Sequence, residues 1–254
     1  MQSMEGKVVV ITGAAGGIGA ATARLAVAGG ARVVVTDREA GPVAALAADL
    51  GEPALGLAVD VSLREDNQRM IASALERFGR VDSVFLNAGV EGEVGPFETR
   101  SDAAWDHVFA VNFLGVRYGA EAAIPALRQS GGGSLLMTSS VAGLRGAAGL
   151  SPYVTSKHAV IGLMRCLAAE LGPEGIRVNT LNPGPVDNRM MRSIEEQASP
   201  GHGDQVKAGF TGRIPLGRYV SNAECAAMAV FLLSDASSGS TGNTYLVDGG
   251  FTAQ

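Results

Sequence analysis

Short runs rich in β-branched residues recur along this 254-residue chain, and most are separated by a segment of helical length and period. That alternation restricts the possible folds more than any other feature. The runs fall at 8–12, 32–36, 54–59, 83–86, 134–139, 177–181 and 245–247, so seven strands are predicted. Between them, 20–28, 63–78, 103–127, 153–171 and 223–233 have the spacing of helices. Strands that are apolar almost throughout, joined by helices, belong to a parallel sheet covered on both faces, an α/β doubly wound fold. In such a sheet ligands bind beyond the carboxyl ends of the strands, so the residues just after each strand are where function is to be sought.

Nothing in composition or patterning marks a boundary within the chain, and one domain spanning 1–254 is expected. Apolar residues make up 46% and charged residues 18%, which argues against disorder. A net charge of −5 provides no polycationic surface, so neither nucleic acid nor an anionic membrane is an expected partner. The apolar stretches are too short to cross a bilayer, and the glycines at 13, 16, 17 and 19 interrupt any likeness to a leader segment. A cytoplasmic location is the default. Cys166 and Cys225 fall in helical segments and are read as small packing residues. His107, His158 and His202 lack metal-ligand spacing, and no metal is expected.

After the first strand comes Thr12-Gly13-Ala14-Ala15-Gly16-Gly17-Ile18-Gly19, then a helix. Glycines here permit a tight turn and let backbone N–H groups at a helix N-terminus approach a pyrophosphate closely. Asp37 ends the second strand 20 residues after Gly17, where a carboxylate would accept the adenosine ribose hydroxyls and repel a 2′-phosphate. Arg38 beside it softens that preference, but the loop itself has no cation, so NAD is favoured over NADP. Asp60 and Val61 follow the third strand, where the Asp60 side chain suits the adenine amino group, and Asn87, Ala88 and Gly89 follow the fourth, where Gly89 lets the backbone pass close to the same ligand, although Asn, Asp and Gly are also ordinary turn residues. These features together describe a Rossmann-type dinucleotide-binding fold.

Tyr153 and Lys157 lie four apart and share a helix face, so an ammonium is brought near a phenol whose ordinary pKa of about 10 makes it a poor base at neutral pH. A neighbouring positive charge would favour the phenolate. Ser140 ends the fifth strand thirteen residues earlier. With the glycine loop and Asn87-Ala88-Gly89, these residues make the chain resemble, over essentially its whole length, the short-chain dehydrogenase/reductases of about 250 residues. The resemblance implies that Tyr153 exchanges the proton of a secondary alcohol or its ketone while hydride passes to or from the nicotinamide. Ser140 would bond the substrate oxygen, and Lys157 would lower the Tyr153 pKa and hold the nicotinamide ribose. Asn112 would position a water in a proton relay. Pro183, Gly184 and Val186 match the segment beside the nicotinamide, and Asn188 stands where the family usually has Thr, as a further expected cofactor contact. A homotetramer is also implied.

The segment 183–217 is irregular and is expected to form a lid, with Met190, Met191 and Ile194 as apolar candidates for the substrate wall. Glu91, Arg145 and Arg189 are the polar candidates at its rim. A 3-oxoacyl-carrier-protein reductase would share the chemistry, but those enzymes usually prefer NADP and show a basic docking surface. Enoyl reductases typically space Tyr and Lys six apart. A non-catalytic NAD-binding regulator would have no need of Asn112, Ser140, Tyr153 and Lys157 together.

Overall fold

The computed structural model describes residues 3–253. Seven strands form one parallel sheet in the order β3-β2-β1-β4-β5-β6-β7. They are β1 (Val8–Thr12), β2 (Arg32–Asp37), β3 (Ala54–Ala58), β4 (Ser83–Leu86), β5 (Gly133–Thr138), β6 (Ile176–Pro183) and β7 (Thr244–Val247). All seven expected strands are present, with ends displaced by no more than two residues. The strand order reverses between β1 and β4, which pair from Val9 with Ser83 to Ile11 with Phe85.

The connecting helices are α1 (Gly17–Ala28), α2 (Ala40–Leu50), α3 (Arg64–Phe78), α4 (Asp102–Phe109), α5 (Gly115–Gln129), α6 (Ser151–Leu171), α7 (Arg189–Ala198), α8 (Gly203–Thr211) and α9 (Asn222–Leu233). Alternate residues of β1 feed two separate cores. Val8 and Val10 pack with Met70 of α3, Val116 of α5 and Met164 of α6, whereas Val9 and Ile11 pack with Ala23 of α1, Val43 of α2 and Val230 of α9. Each buried valine contributes about 1.5–3 kcal/mol relative to exposure, so a strand with no polar face is held from both sides. Two buried serines tie the sheet to α9, the Ser83 hydroxyl donating to the Leu233 carbonyl and that of Ser134 to the Leu232 carbonyl, each at 2.8 Å.

Three expectations are corrected. Helix α2 was not singled out in the sequence, although Pro42 lies in its first turn, where proline is tolerated. The helix expected over 103–127 is two helices joined by a π-turn, Ala110–Leu114, because the side chain of Asn112 inside that turn is engaged by a neighbouring backbone. Cys166 is exposed rather than packed, while Cys225 is buried and its thiol is pushed up to about 12, by burial first and then by Glu224.

Gly19 belongs to the packing of α1 and does not line the cleft. A Cβ there would overlap the Gly13 carbonyl oxygen and come 2.9 Å from Ala14 Cα, atoms of a tight loop that cannot move aside. Gly19→Ala is therefore expected to destabilise the fold by about 1–3 kcal/mol. Gly162→Ala, at an exposed position in α6 where a Cβ meets nothing within 4 Å, should instead stabilise it by about 0.5–1 kcal/mol. Thermal melts of the two variants should shift in opposite directions.

Candidate active site

A cleft of about 1340 Å³ runs along the carboxyl ends of the strands and reaches from the glycine loop to α7. At its nucleotide end it is lined by Gly13, Gly17, Ile18, Asp37, Arg38, Asp60, Val61, Asn87, Ala88 and Gly89. Gly13 has φ +64, and a Cβ on it would lie 2.8 Å from Ala88 Cα, so only glycine lets β1 turn beside β4 at this place. The N-terminus of α1 has no side-chain cap and no acidic residue in its first turn. Its first amides therefore face the cleft with no intrahelical partner and suit a phosphate. A pyrophosphate fits this cradle.

Several of the expected cofactor residues also hold the loop together. Asp37 accepts from Ala15 N at 3.1 Å and from Arg38 N at 2.8 Å, which fixes its carboxylate at the edge of the loop. Asp60 Oδ1 is taken by the amide and hydroxyl of Ser62, at 2.9 and 2.6 Å. The Asn87 amide donates to the Thr12 and Gly13 carbonyls and accepts from the Thr138 hydroxyl, stitching β1, β4 and β5 across the switch in strand order. Thr12, the first residue of the glycine-loop motif, completes this tie by accepting from the amides of Asn87 and Ala88.

At the other end of the cleft Ser140, Tyr153 and Lys157 meet. Ser140 begins a short 3₁₀ turn after β5 and its hydroxyl accepts from Ala142 N at 3.1 Å. It donates to the Pro183 carbonyl at 3.4 Å, and it neighbours the Tyr153 phenol closely enough to act on its pKa. One turn along α6, the Lys157 ammonium donates to the Thr138 carbonyl at 3.0 Å and lies 5.5 Å from the centre of the Tyr153 ring. Lys157 is only 2% exposed, and burial pulls its pKa down from 10.5 to about 8.

The expected lowering of the Tyr153 phenol is not found in the protein by itself. Burial pushes it above its ordinary value; the neighbouring Ser140 hydroxyl opposes that rise and the nearby Glu91 carboxylate adds to it. The lysine does not offset burial, being itself desolvated and turned to a backbone carbonyl.

Asn112 is fully buried and does not line the cleft. Its Oδ1 accepts from Val90 N at 2.8 Å, and its Nδ2 donates to Val90 O at 2.9 Å and to Ser156 Oγ at 3.2 Å. Ser156 in turn donates to the Tyr153 carbonyl at 2.7 Å. The side chain thus braces α6 against the strand-end segment after β4, through a serine lying between Tyr153 and Lys157 whose part was missed in the sequence.

Pro183, Gly184, Val186 and Asn188 line the cleft between its two ends. Gly184 is glycine because a Cβ would lie 2.7 Å from Asp248 Cβ, and Val186 O is taken by Asn188 N at 2.8 Å. Asn188 caps α7 by accepting from Met191 N at 3.3 Å and donates to Asn222 Oδ1 at 3.3 Å, so its amide links α7 to the start of α9. Met190, Met191 and Ile194 line the cleft from α7. Glu91, only 8% exposed, is paired with Arg189 at 3.4 Å. Phe251 also lines the cleft, although the sequence of the C-terminal segment 247–254 resembles the family's pattern near a subunit contact and gave no reason to place it here.

A family model described as enoyl-(acyl carrier protein) reductase matches residues 13–252. Levodione reductase of Leifsonia aquatica is 36% identical over 252 residues, 97% of this chain and 94% of that protein. The chain belongs to the short-chain dehydrogenase/reductase family. Another relative, cyclohexanol dehydrogenase of Acinetobacter sp. (strain SE19), is 36% identical over 98% of this chain and 96% of its own length. The crystal structure of levodione reductase superposes with a TM-score of 0.95 at 35% identity, covering 98% of both chains. A 3-ketoacyl-(acyl-carrier-protein) reductase from Brucella melitensis, complexed with NADH, gives 0.90 at 31% identity, covering 98% of this chain and all of that one. Among the described residues of this short-chain dehydrogenase/reductase, no group of three or more His, Cys, Asp or Glu side chains is placed to hold a metal ion, and no helix is long and apolar enough to cross a membrane.

Burying Lys157 has a cost that can be measured. Between about pH 8 and 10.5 the unfolded chain holds a proton that the folded chain has released, so stability rises with pH across that window. At neutral pH the cost is about 3 kcal/mol. Lys157→Met is expected to be at least as stable as the wild type at pH 7, with its advantage shrinking toward pH 10 in chemical denaturation. A variant that is less stable at pH 7 by a margin independent of pH would contradict this origin of the shift.

Proposed function

We propose that this protein is an NAD-dependent oxidoreductase that interconverts a secondary alcohol and its ketone. The observation that carries the reading is the convergence of Ser140, Tyr153 and Lys157 on one wall of a cleft whose other end is a glycine cradle at a helix N-terminus. The relatives named for levodione reduction and cyclohexanol oxidation support it.

A substrate oxygen placed between Ser140 and Tyr153 would accept from the serine hydroxyl. In reduction the phenol of Tyr153 donates its proton to that oxygen, and in oxidation the phenolate accepts it. The nicotinamide, when bound, supplies or takes the hydride. Because burial holds the phenol protonated, the site by itself is set for donation, and proton acceptance needs additional positive charge nearby. That charge would have to come with the oxidised cofactor, since Lys157 does not offset burial in the protein alone, and Lys157 would hold the nicotinamide ribose. Asn112 fixes the Val90 backbone and, through Ser156, the helix turn that carries Tyr153.

Asp37 supports NAD over NADP. It lines the cleft with its carboxylate anchored by the amides of Ala15 and Arg38, and a 2′-phosphate at that place would be repelled. The segment from Pro183 to Gly217, including α7 and α8, serves as the substrate lid, with Met190 and Met191 as its wall. Assembly as a homotetramer is part of the proposal, and light scattering should give four times the 25.9 kDa chain mass. A 3-oxoacyl-carrier-protein reductase would use the same proton donor, so substrate assays are needed to separate it from the favoured reading.

Tyr153→Phe should retain NADH binding, followed by fluorescence, and lose at least a thousandfold in kcat for ketone reduction; a variant that keeps near-normal turnover removes the proposed acid/base. Asp37→Ala should lower kcat/KM for NADH about tenfold or more while improving or preserving that for NADPH. An unchanged ratio would overturn the cofactor assignment.

A further inference from the structure

The cleft holds two cations that the proposed chemistry does not use. The Arg145 guanidinium lies 4.8 Å from the centre of the Phe251 ring, and that of Arg213 lies 5.1 Å from the same centre. Both arginines line the cleft that contains Ser140 and Tyr153. Among the described residues neither side chain has a carboxylate partner or donates a hydrogen bond, unlike Arg80, which is paired with Asp82, and Arg218, which is paired with Glu224.

The acidic group at this end of the cleft is already matched, since Glu91 is paired with Arg189. The Lys157 ammonium is turned to the Thr138 carbonyl. The chain as a whole is acidic, with 25 carboxylate side chains against 20 basic ones, so two unanswered guanidinium groups in one cleft are not a reflection of bulk composition.

The platform beneath them is built. Phe251 is buried in a small apolar cluster with Val141, Ile214 and Tyr219. The Asp248 carboxylate fixes the segment that carries it by accepting from Gly250 N, Thr252 N and Thr252 Oγ1 at 2.9, 2.9 and 2.7 Å. Arg145 comes from the loop after β5, Arg213 from the segment after α8, and Phe251 from the C-terminal segment. Three distant parts of the chain thus place two cations around one ring, each within about 5 Å of its centre, so that they lie no more than twice that far apart. Stacking on an aromatic face orients a guanidinium while leaving its N–H donors free, and those donors match a carboxylate in bidentate fashion.

We propose that Arg145 and Arg213 form an anion-binding subsite, and that the alcohol or ketone taken by this cleft bears a carboxylate or similar anionic oxygen group remote from the reacting carbon. This rests on the oxidoreductase reading above and adds the substrate class to it.

The test compares two ketones of similar size, 4-oxocyclohexanecarboxylate and 4-methylcyclohexanone, with NADH. The wild type should favour the carboxylate by tenfold or more in kcat/KM, and that preference should shrink as salt is raised from low to high ionic strength. In Arg145→Met and in Arg213→Met the ratio of the two kcat/KM values should fall at least tenfold, with the loss appearing in KM for the carboxylate. Equal use of both ketones by the wild type, or a ratio that neither salt nor the substitutions alter, would overturn the subsite. The salt series needs only the wild type, so it decides even if a variant fails to fold. If neither ketone is reduced, the oxidoreductase reading fails for cyclic ketones, and calorimetry of 4-oxocyclohexanecarboxylate with the NADH-loaded protein judges the subsite by itself. Binding weakened tenfold by either substitution supports it, and absence of binding to the wild type overturns it.

Discussion

A lysine ammonium buried beneath a buried phenol is the constraint on which the site is built. Charge taken out of water must be met by fixed dipoles, and the dipole that meets Lys157 is the Thr138 carbonyl at the end of β5. That bond ties α6 to the sheet at the strand end where Ser140 also begins. The Ser139 hydroxyl adds a second tie by donating to the Lys157 carbonyl at 2.9 Å. Asn112 and Ser156 form a buried polar chain that ends on the Tyr153 carbonyl. The polar groups around the pair are bonded to one another or to backbone, as a desolvated network requires. Rigidity at the carboxyl edge of the sheet follows from that network, and a proton donor whose direction must be fixed benefits from it.

The two ends of the cleft are made differently. At the nucleotide end, strand ends and the start of α1 form the walls, and Thr12, Asn87 and Thr138 cross-link three strands. At the substrate end, the walls are α7, the segment after α8 and the C-terminal turn, none of which belongs to the sheet. These pieces are anchored to one another: Arg192 bridges Asp187 and the buried Glu195, Asn188 reaches Asn222, and Val186 pairs with Val220. A fixed cradle paired with a separately assembled wall would let one fold keep its cofactor geometry while the wall varies with the substrate.

Features with a local cause were readable in the sequence. The strands show as β-branched runs because both their faces are buried, and the glycine loop, Ser140, Tyr153 and Lys157 show because spacing along one strand end or one helix turn fixes their placement. What depends on contact between distant segments was not readable. The π-turn around Asn112 exists because Val90, 22 residues away, takes both ends of its amide. Cys166 was misjudged because periodicity in a helix covered on several sides does not reveal which narrow face is left open. The place of Phe251 in the cleft was not legible either, since it meets Arg145 and Arg213 only in space. The direction of the Tyr153 shift was also inaccessible, because spacing reports that a lysine is near but not how deeply both groups are buried.

The most direct test of this arrangement is a titration of the Tyr153 phenol by ultraviolet difference absorbance between the wild type and Tyr153→Phe, which isolates one of the four tyrosines, without and with saturating NAD⁺. In the protein alone the midpoint should lie above 10, because burial dominates. With NAD⁺ it should fall by at least about one unit, because a second positive charge then stands beside the phenol. A phenol that ionises near neutral pH without NAD⁺, or one whose midpoint NAD⁺ leaves unmoved, would contradict it.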